Sequence, residues 1–430
     1  MSGEGGARAA LPTRLKSRLR EFLGPGLITG ASDDDPSGIA TYSQAGAQFG
    51  YGLGWTLVVT YPFMVAVQMI SARIGRTTGH GIAGNLRRYY PRWLLNGVVA
   101  LLLVANTINI GADLGAMADA SRLVIGGPDI VYLVMFAAFC ALTQVFMSYR
   151  NYVSVLKWLS LSLLAYVFTL LLVHVDWEEA LLRLVIPHPS VSAAYVTTIV
   201  ALFGTTISPY LFFWQASEEA EDVEETPERE ALTEHPEQGE AELERIEVDT
   251  LGGMAASNLV ALAIVFATAA TLHGAGITDI QTSAQAAEAL RPIAGNQAAI
   301  VFALGIVGTG LLAVPVLAGS AAYALGEAFG WPVGLARLPL QAKAFYGAIV
   351  AATAIGMILN FTPINPIKAL YWSAVLNGVV AVPVMAIMML LTSRKEVMGE
   401  FTVRGPLRWL GWLATALMGG AVLAMALTAS

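Results

Sequence analysis

The sequence predicts an all-α polytopic membrane protein with 11 transmembrane helices, arranged as two inverted five-helix repeats in which helices 1 and 6 are broken. Three observations carry this expectation. Of the 430 residues, 56% are hydrophobic and only 13% charged, against about 25% charged in ordinary soluble domains. The apolar residues fall in runs of roughly 18–25, the length that crosses a bilayer core at about 1.5 Å per residue. Two of these runs, five apart, are interrupted by proline in a polar setting.

In chain order the runs are 24–46, 52–72, 93–114, 130–148, 152–173, 191–217, 248–272, 298–325, 344–360, 366–391 and 407–428. Backbone polar groups find no water inside lipid, so such runs are helices. The two-residue alternation of a transmembrane barrel is not present. Residues 1–23 form a basic segment without an apolar core, so no secretory signal is read there and the first helix is expected to stay attached. Leu15 to Leu23 suits a short interfacial helix, with Arg14, Lys16, Arg18 and Arg20 at the headgroups.

Basic residues before the first span place the N-terminus in the cytoplasm. That orientation puts 20 of the 24 basic residues inside, against Arg122, Arg183, Arg291 and Lys368 outside. An odd number of spans then leaves the C-terminus outside. The division expected is a basic N-terminal segment over 1–23, a core of helices 1–10 over 24–391, and a cytoplasmic loop with helix 11 over 392–430. Within the core, the segment 218–249 contains 15 of the 31 acidic residues. It reads as a solvated, partly disordered cytoplasmic loop, or alternatively as an acidic vestibule that concentrates cations.

The lone Cys140 excludes an intramolecular disulfide. The five histidines show no pair at metal-ligand spacing, which argues against a zinc enzyme. Pro62, Pro315 and Pro383 read as simple kinks. The breaks in helices 1 and 6 are different. The first reads Gly30-Ala31-Ser32-Asp33-Asp34-Asp35-Pro36-Ser37-Gly38-Ile39, the second Phe203-Gly204-Thr205-Thr206-Ile207-Ser208-Pro209-Tyr210. Interrupted helices at matching positions of two five-helix halves mark an inverted repeat with a midplane binding site. One ionised Asp at bilayer depth costs about 2.5–3.5 kcal/mol on insertion scales, so three in succession must meet water, a cation or other polar groups.

An unwound helix exposes carbonyl oxygens, and the C-terminal end of a half-helix is partly negative. Asp35 adds a full charge; Ser37, Thr205 and Ser208 add neutral hard oxygens. Such a set suits a hard divalent cation such as magnesium or manganese. No thiolate, imidazole or thioether lies at either break in the sequence, as a soft-metal site would require.

Gly24-Pro25-Gly26, Asp35-Pro36 and Ala45-Gly46-Ala47-Gln48-Phe49-Gly50-Tyr51, with Gly204-Thr205-Thr206-Ile207-Ser208-Pro209 later, resemble the Nramp family of divalent-metal transporters. The resemblance implies the LeuT-type fold and alternating access. It also implies that Asp35 is a metal ligand and that the Thr205 carbonyl stands where a ligating alanine carbonyl would be. The departures are informative. Gly38 stands where an asparagine ligand is expected, Ser208 replaces a methionine ligand, and Tyr210 replaces a histidine associated with proton coupling. This pattern resembles the Nramp-related magnesium transporters. In the third helix Asp113 matches one member of an acidic pair, with Ala116 at the second position. Asp113 alternatively bonds to Asn106 or Asn109 as a structural acid.

The site expected from these readings is Asp35, Gly38, Thr205, Ser208 and Tyr210, with Ser37, Asp34, Asp113, Gln215 and Asn377 as further candidates. Gln215, Asn377 and Tyr42 read as interhelical hydrogen-bond partners ahead of ligands. No cofactor is expected, because the divalent ion is cargo. The partners expected are divalent metal ions and the lipid bilayer of a cell inner membrane, without nucleic acid, around a monomer. The function expected is magnesium, and also manganese, uptake without obligatory proton coupling. Three alternatives stay open: a proton-coupled manganese or iron transporter of the same family, a sodium-coupled organic-solute symporter, and an intramembrane magnesium-dependent enzyme. Against the enzyme, there is one Asp cluster, not two.

Overall fold

The computed structural model describes residues 29–30, 33–147, 161–187, 189–190, 192–226 and 228–429. The interfacial helix expected before residue 24 and the early parts of the first and fifth spans lie outside these. Every regular element among the described residues is helical. The broken first span continues as α1 (Pro36–Phe49) and is followed by α2 (Gly54–Thr78), α3 (Ile82–Tyr89), α4 (Arg92–Ile125) and α5 (Asp129–Phe146). Next come α6 (Leu164–Leu172), α7 (Trp177–Val185) and the two halves of the sixth span, α8 (Ala193–Thr206) and α9 (Pro209–Glu225). Then follow α10 (Gly239–Thr268), α11 (Ala298–Phe329), α12 (Lys343–Leu359), α13 (Pro366–Thr392) and α14 (Gly405–Ala429).

These helices coincide with the expected spans. Eight helical stretches among the described residues are long and apolar enough to cross a membrane. Pro36–Thr78 contains both the first and second spans, α12 is the shorter ninth, and α6 belongs to the fifth. Pro62, Pro315 and Pro383 lie inside α2, α11 and α13 without ending them. At Pro36 and Pro209 the helix starts anew, with proline in its first turn, where its missing N–H costs nothing.

Two packed groups are joined through the broken helices. The long α4 is the hub for α11, α12, α13 and α5. Helix α10 packs on both α1 and α2, and α9 packs on α2. Helix α8 lies along α13 and α9 along α11, so the sixth span touches both groups at its break. One close approach of two backbones uses small residues. A Cβ added to Gly204 would lie 2.0 Å from Ala374 O and 2.4 Å from Gly378 N. In lipid, where association has no hydrophobic drive, such backbone proximity supplies the packing.

The acidic segment 218–249 is ordered almost throughout, which corrects the expectation of partial disorder. It completes α9, turns through 228–238 and begins α10. Arginine pairing explains the order. Arg76, fully buried at the end of α2, donates to Glu242 at 3.1 Å, to Gln238 at 2.8 Å and to the Glu230 carbonyl. Arg245 bridges Glu242 and Glu219, while Arg229 pairs with Asp222. Leu232 and Thr233 donate their N–H groups to the Arg76 and Thr77 carbonyls. Composition showed the acids and the segment's own Arg229 and Arg245, but not that Arg76 of α2 folds onto them.

Gly204→Ala is expected to lower the melting temperature of the detergent-purified protein, since overpacking typically costs about 1–3 kcal/mol. An unchanged melting temperature would show that α8 and α13 separate freely and that this contact does not hold the break.

Candidate cation site

The first break is organised by Asp35. Its backbone is extended (ψ 170°) and its side chain caps α1. Oδ1 accepts from Gly38 N at 2.7 Å and from Ser37 Oγ at 2.6 Å. A capping carboxylate satisfies an orphan N–H and meets the positive end of the helix. Oδ2 receives a long contact, 3.4 Å, from the Tyr210 hydroxyl of α9. The two breaks therefore meet at this carboxylate, which is 1% exposed. One oxygen is committed to the cap and the other remains able to take a cation.

The second break supplies carbonyl and hydroxyl oxygens. Helix α8 stops at Thr206, and Ser208 occupies the cap of α9 without bonding to it. Instead, Ser208 Oγ donates back to Gly204 O at 2.8 Å and Thr205 O at 3.0 Å. The serine thus uses its proton on carbonyls that the break leaves unpaired, and only its lone pairs remain for a ligand. The Thr205 carbonyl retains a second lone pair. Thr205 itself faces Gly38 across the site: a Cβ on Gly38 would lie 3.0 Å from Thr205 Oγ1, 3.2 Å from the Tyr42 ring and 3.5 Å from Asp35 Oδ1. Asp35, Gly38, Thr205, Ser208 and Tyr210 are accordingly brought together, with Ser37 as a donor to Asp35.

The remaining candidates are placed differently. Asp34, together with Asp33, turns toward α10, where Ser257 Oγ lies 2.6 Å from Asp33 Oδ2 and 3.1 Å from Asp34 Oδ1. Gln215 is an interhelical clasp, accepting from Thr29 and Gln68 and donating to Glu219 at 3.4 Å. Asp113 is fully buried with no hydrogen-bond partner among the described residues for either oxygen, yet within reach of the charge on Asp35. The bond to Asn106 or Asn109 is not made: Asn106 Nδ2 donates to Leu317 O at 2.9 Å and Ser320 Oγ at 2.7 Å, and the Asn109 side chain has no partner among the described residues. Asn377 is buried on the turn of α13 that crosses Gly204, its amide likewise without a partner there.

Two residues escaped the sequence reading. Ser257 sits in an apolar helix and only tertiary contact brings it to Asp33 and Asp34. Met117, one turn beyond Asp113, lays its sulfur against Gly310, and the Pro36 ring approaches the same glycine. A thioether therefore comes close to the first break from α4, although neither break contains one.

The assembled donors are one carboxylate oxygen, neutral hydroxyls and main-chain carbonyls, all buried. Such a set holds a hard cation, directly or through its waters. With this geometry in view, the likeness to known proteins is extensive. Residues 26–428 match the family model described as natural resistance-associated macrophage protein-like (Nramp). A divalent metal cation transporter MntH of Acidiphilium cryptum is 26% identical over 421 residues, covering 94% of this chain and 88% of that protein. The MntH of Klebsiella pneumoniae is 26% identical over 426 residues, covering 96% and 94%. Among solved structures, the Eremococcus coleocola manganese transporter in complex with an aromatic bis-isothiourea compound superposes with a TM-score of 0.73. It is 15% identical and covers 96% of this chain and 88% of its own. MhsT in complex with L-phenylalanine gives a TM-score of 0.62 at 12% identity, covering 94% and 98%. The fold is thus the LeuT-type inverted repeat.

Replacing Ser257 by Ala removes the donor that Asp33 and Asp34 share and leaves buried acceptors unpaired, a cost of about 1–3 kcal/mol. A fall in thermal stability of the purified protein is expected; wild-type stability would show that other donors serve both acids.

Proposed function

The chain belongs to the Nramp family, and from that premise we propose that it transports divalent metal ions, with magnesium as preferred cargo, manganese second, and no obligatory proton coupling. It acts as a transporter and not as an enzyme. The observation that carries the preference is the donor set around Asp35. Ser208 stands in place of the methionine expected of manganese and iron carriers, and its hydroxyl is turned onto Gly204 O and Thr205 O. Gly38 contributes no side-chain amide. Magnesium dehydrates reluctantly and usually keeps several waters, so it favours a site with one charge, oxygen donors and room for solvent.

The ion enters from the outside, is held between α1 and the end of α8, and is released to the cytoplasm when one helix group rocks against the other. Asp35 Oδ2 supplies charge and the Thr205 carbonyl a neutral ligand, with Ser208 acting through its lone pairs. An interior-negative potential favours inward movement of a divalent ion by about 4.6 kcal/mol per 100 mV, twice the value per elementary charge. Uptake then needs no second gradient. Tyr210 supports the same view, because a phenol does not exchange protons near neutral pH as an imidazole does. The setting is a cell inner membrane, with the N-terminus inside.

A second reading has one observation in its favour. The Met117 sulfur near Pro36 offers a soft donor from α4, which would suit manganese in a proton-coupled carrier.

Flux into proteoliposomes separates the two. Wild-type protein is expected to carry magnesium and manganese without acidifying the lumen, and Asp35→Ala to lose at least about tenfold of both, as removal of a charge-assisted ligand implies. Manganese flux with matching proton entry, and none of magnesium, would return the protein to the proton-coupled group.

A further inference from the structure

A cavity of about 550 Å³ lies where α3, α9 and the loop after α11 converge, and none of the residues around Asp35 lines it. Its volume suits a small ligand, and its charges divide into two kinds. The acids are matched within the protein. Glu327 of α11 holds the start of α3, accepting from Gly81 N at 2.9 Å and Gly84 N at 2.8 Å. Glu221 of α9 accepts from Leu335 N at 3.1 Å, Ala336 N at 2.8 Å and the Tyr323 hydroxyl. Glu224 pairs with Arg337 at 2.9 Å.

Two bases of the same wall are not matched in this way. Arg87 and Arg88, in the last turn of α3, line the cavity without a carboxylate at ion-pair distance among the described residues. Arg87 is held in position by the end of α11. Its Nη1 is 3.5 Å from the Glu327 carbonyl, and Gly330 (φ 72°) leaves room for the guanidinium, which a Cβ there would meet. Arg88 makes no hydrogen bond or ion pair among the described residues. Adjacent guanidinium forks with donors to spare suit the oxygens of a phosphate.

The rim indicates where such a phosphate comes from. Phe329 and Trp331 stack at 5.2 Å, and Phe329, Leu338 and Leu340 of this loop are exposed, Leu340 at 81%. On the other side of α3, Trp93 at the start of α4 is 73% exposed. Tryptophan at the ends of membrane helices, with arginine beside it, marks the headgroup level of a bilayer. An anion at that level is a lipid headgroup, and the exposed loop side chains offer its acyl chains an apolar surface.

We propose that this cavity binds the phosphate of an anionic phospholipid, with Arg87 and Arg88 as its ligands and the acyl chains over Phe329, Leu338 and Leu340. Helix α3 joins α2 to α4 and packs on α11, so the lipid sits at the link between the two helix groups. The proposed orientation of the chain decides which leaflet supplies the lipid; binding itself depends neither on that orientation nor on the ion carried.

The test titrates the full chain in detergent with short-chain phosphatidylglycerol or phosphatidylcholine and counts bound lipid by native mass spectrometry, with inorganic phosphate as competitor. Wild-type protein is expected to bind phosphatidylglycerol at least about tenfold more tightly than phosphatidylcholine. Arg88→Gln, at an exposed residue without a partner, weakens phosphatidylglycerol about tenfold, the share of one charge-assisted contact. Arg408→Gln, a basic residue of α14 outside the cavity, leaves the affinity unchanged. Equal binding of the two lipids by wild-type protein overturns the proposal without reference to any variant. Wild-type affinity in Arg88→Gln, or the same loss in Arg408→Gln, shows diffuse attraction to a basic surface and overturns it too. Displacement of the lipid by millimolar inorganic phosphate identifies a site for a free anion and overturns the lipid as occupant.

Discussion

Carboxylates buried at bilayer depth must be given partners, and the three consecutive aspartates of the first span impose that requirement on everything around them. Asp33, Asp34 and Asp35 are all at most 6% exposed. A continuous helix would point them in three directions, each into apolar packing. Breaking the helix at Pro36 places Asp35 at the start of α1, where it caps Gly38 N and meets the positive helix end. Asp33 and Asp34 are then free to turn toward Ser257. The break therefore solves an electrostatic problem and at the same time opens a carboxylate oxygen toward the second span that is broken.

That second break depends on close backbone approach. Gly204 lets α13 pass within contact of the last turn of α8, and the same turn contains Thr205. The candidate site is thus braced from behind by packing of small residues, while its front is lined by polar atoms. Ser208 shows how bracing and ligation compete for one side chain, since the proton that steadies two carbonyls is no longer available to a water. The charged layer of Arg76, Arg229 and Arg245 plays a comparable bracing role farther along, tying the end of α2 to α9 and to the start of α10.

Family membership and site composition live on different levels of this molecule. The fold is shared with relatives at identities of about one residue in four, because it rests on helix length, small residues at contacts and paired breaks. The proposed ligands belong to a handful of residues around Asp35, and those can change while the frame persists. Gly38, Ser208 and Tyr210 are the positions at which the proposed site departs from the pattern the family resemblance implies, and none of the three departures touches the break itself.

By itself the sequence determined the all-helical class, the spans and the two breaks, because hydrophobic run length and proline in a polar setting are local properties. It also pointed to Asp35, since an acid directly before a proline in a membrane helix marks a break and brings a charge that must be met there. It ranked Asp34 behind Asp35 as a further candidate without giving it a partner; the tertiary structure supplied that partner, Ser257 from α10. The acidic segment 218–249 looked solvated because its counter-charges include Arg76, which is more than a hundred residues away. Gln215 became a clasp once Thr29 and Gln68 were beside it, and Met117 approached the first break although nothing in its own sequence setting set it apart from packing. The facing of Gly38 and Thr205 was likewise decided by tertiary structure. Residues 167 positions apart in the chain meet there because two helices start and stop at the same depth.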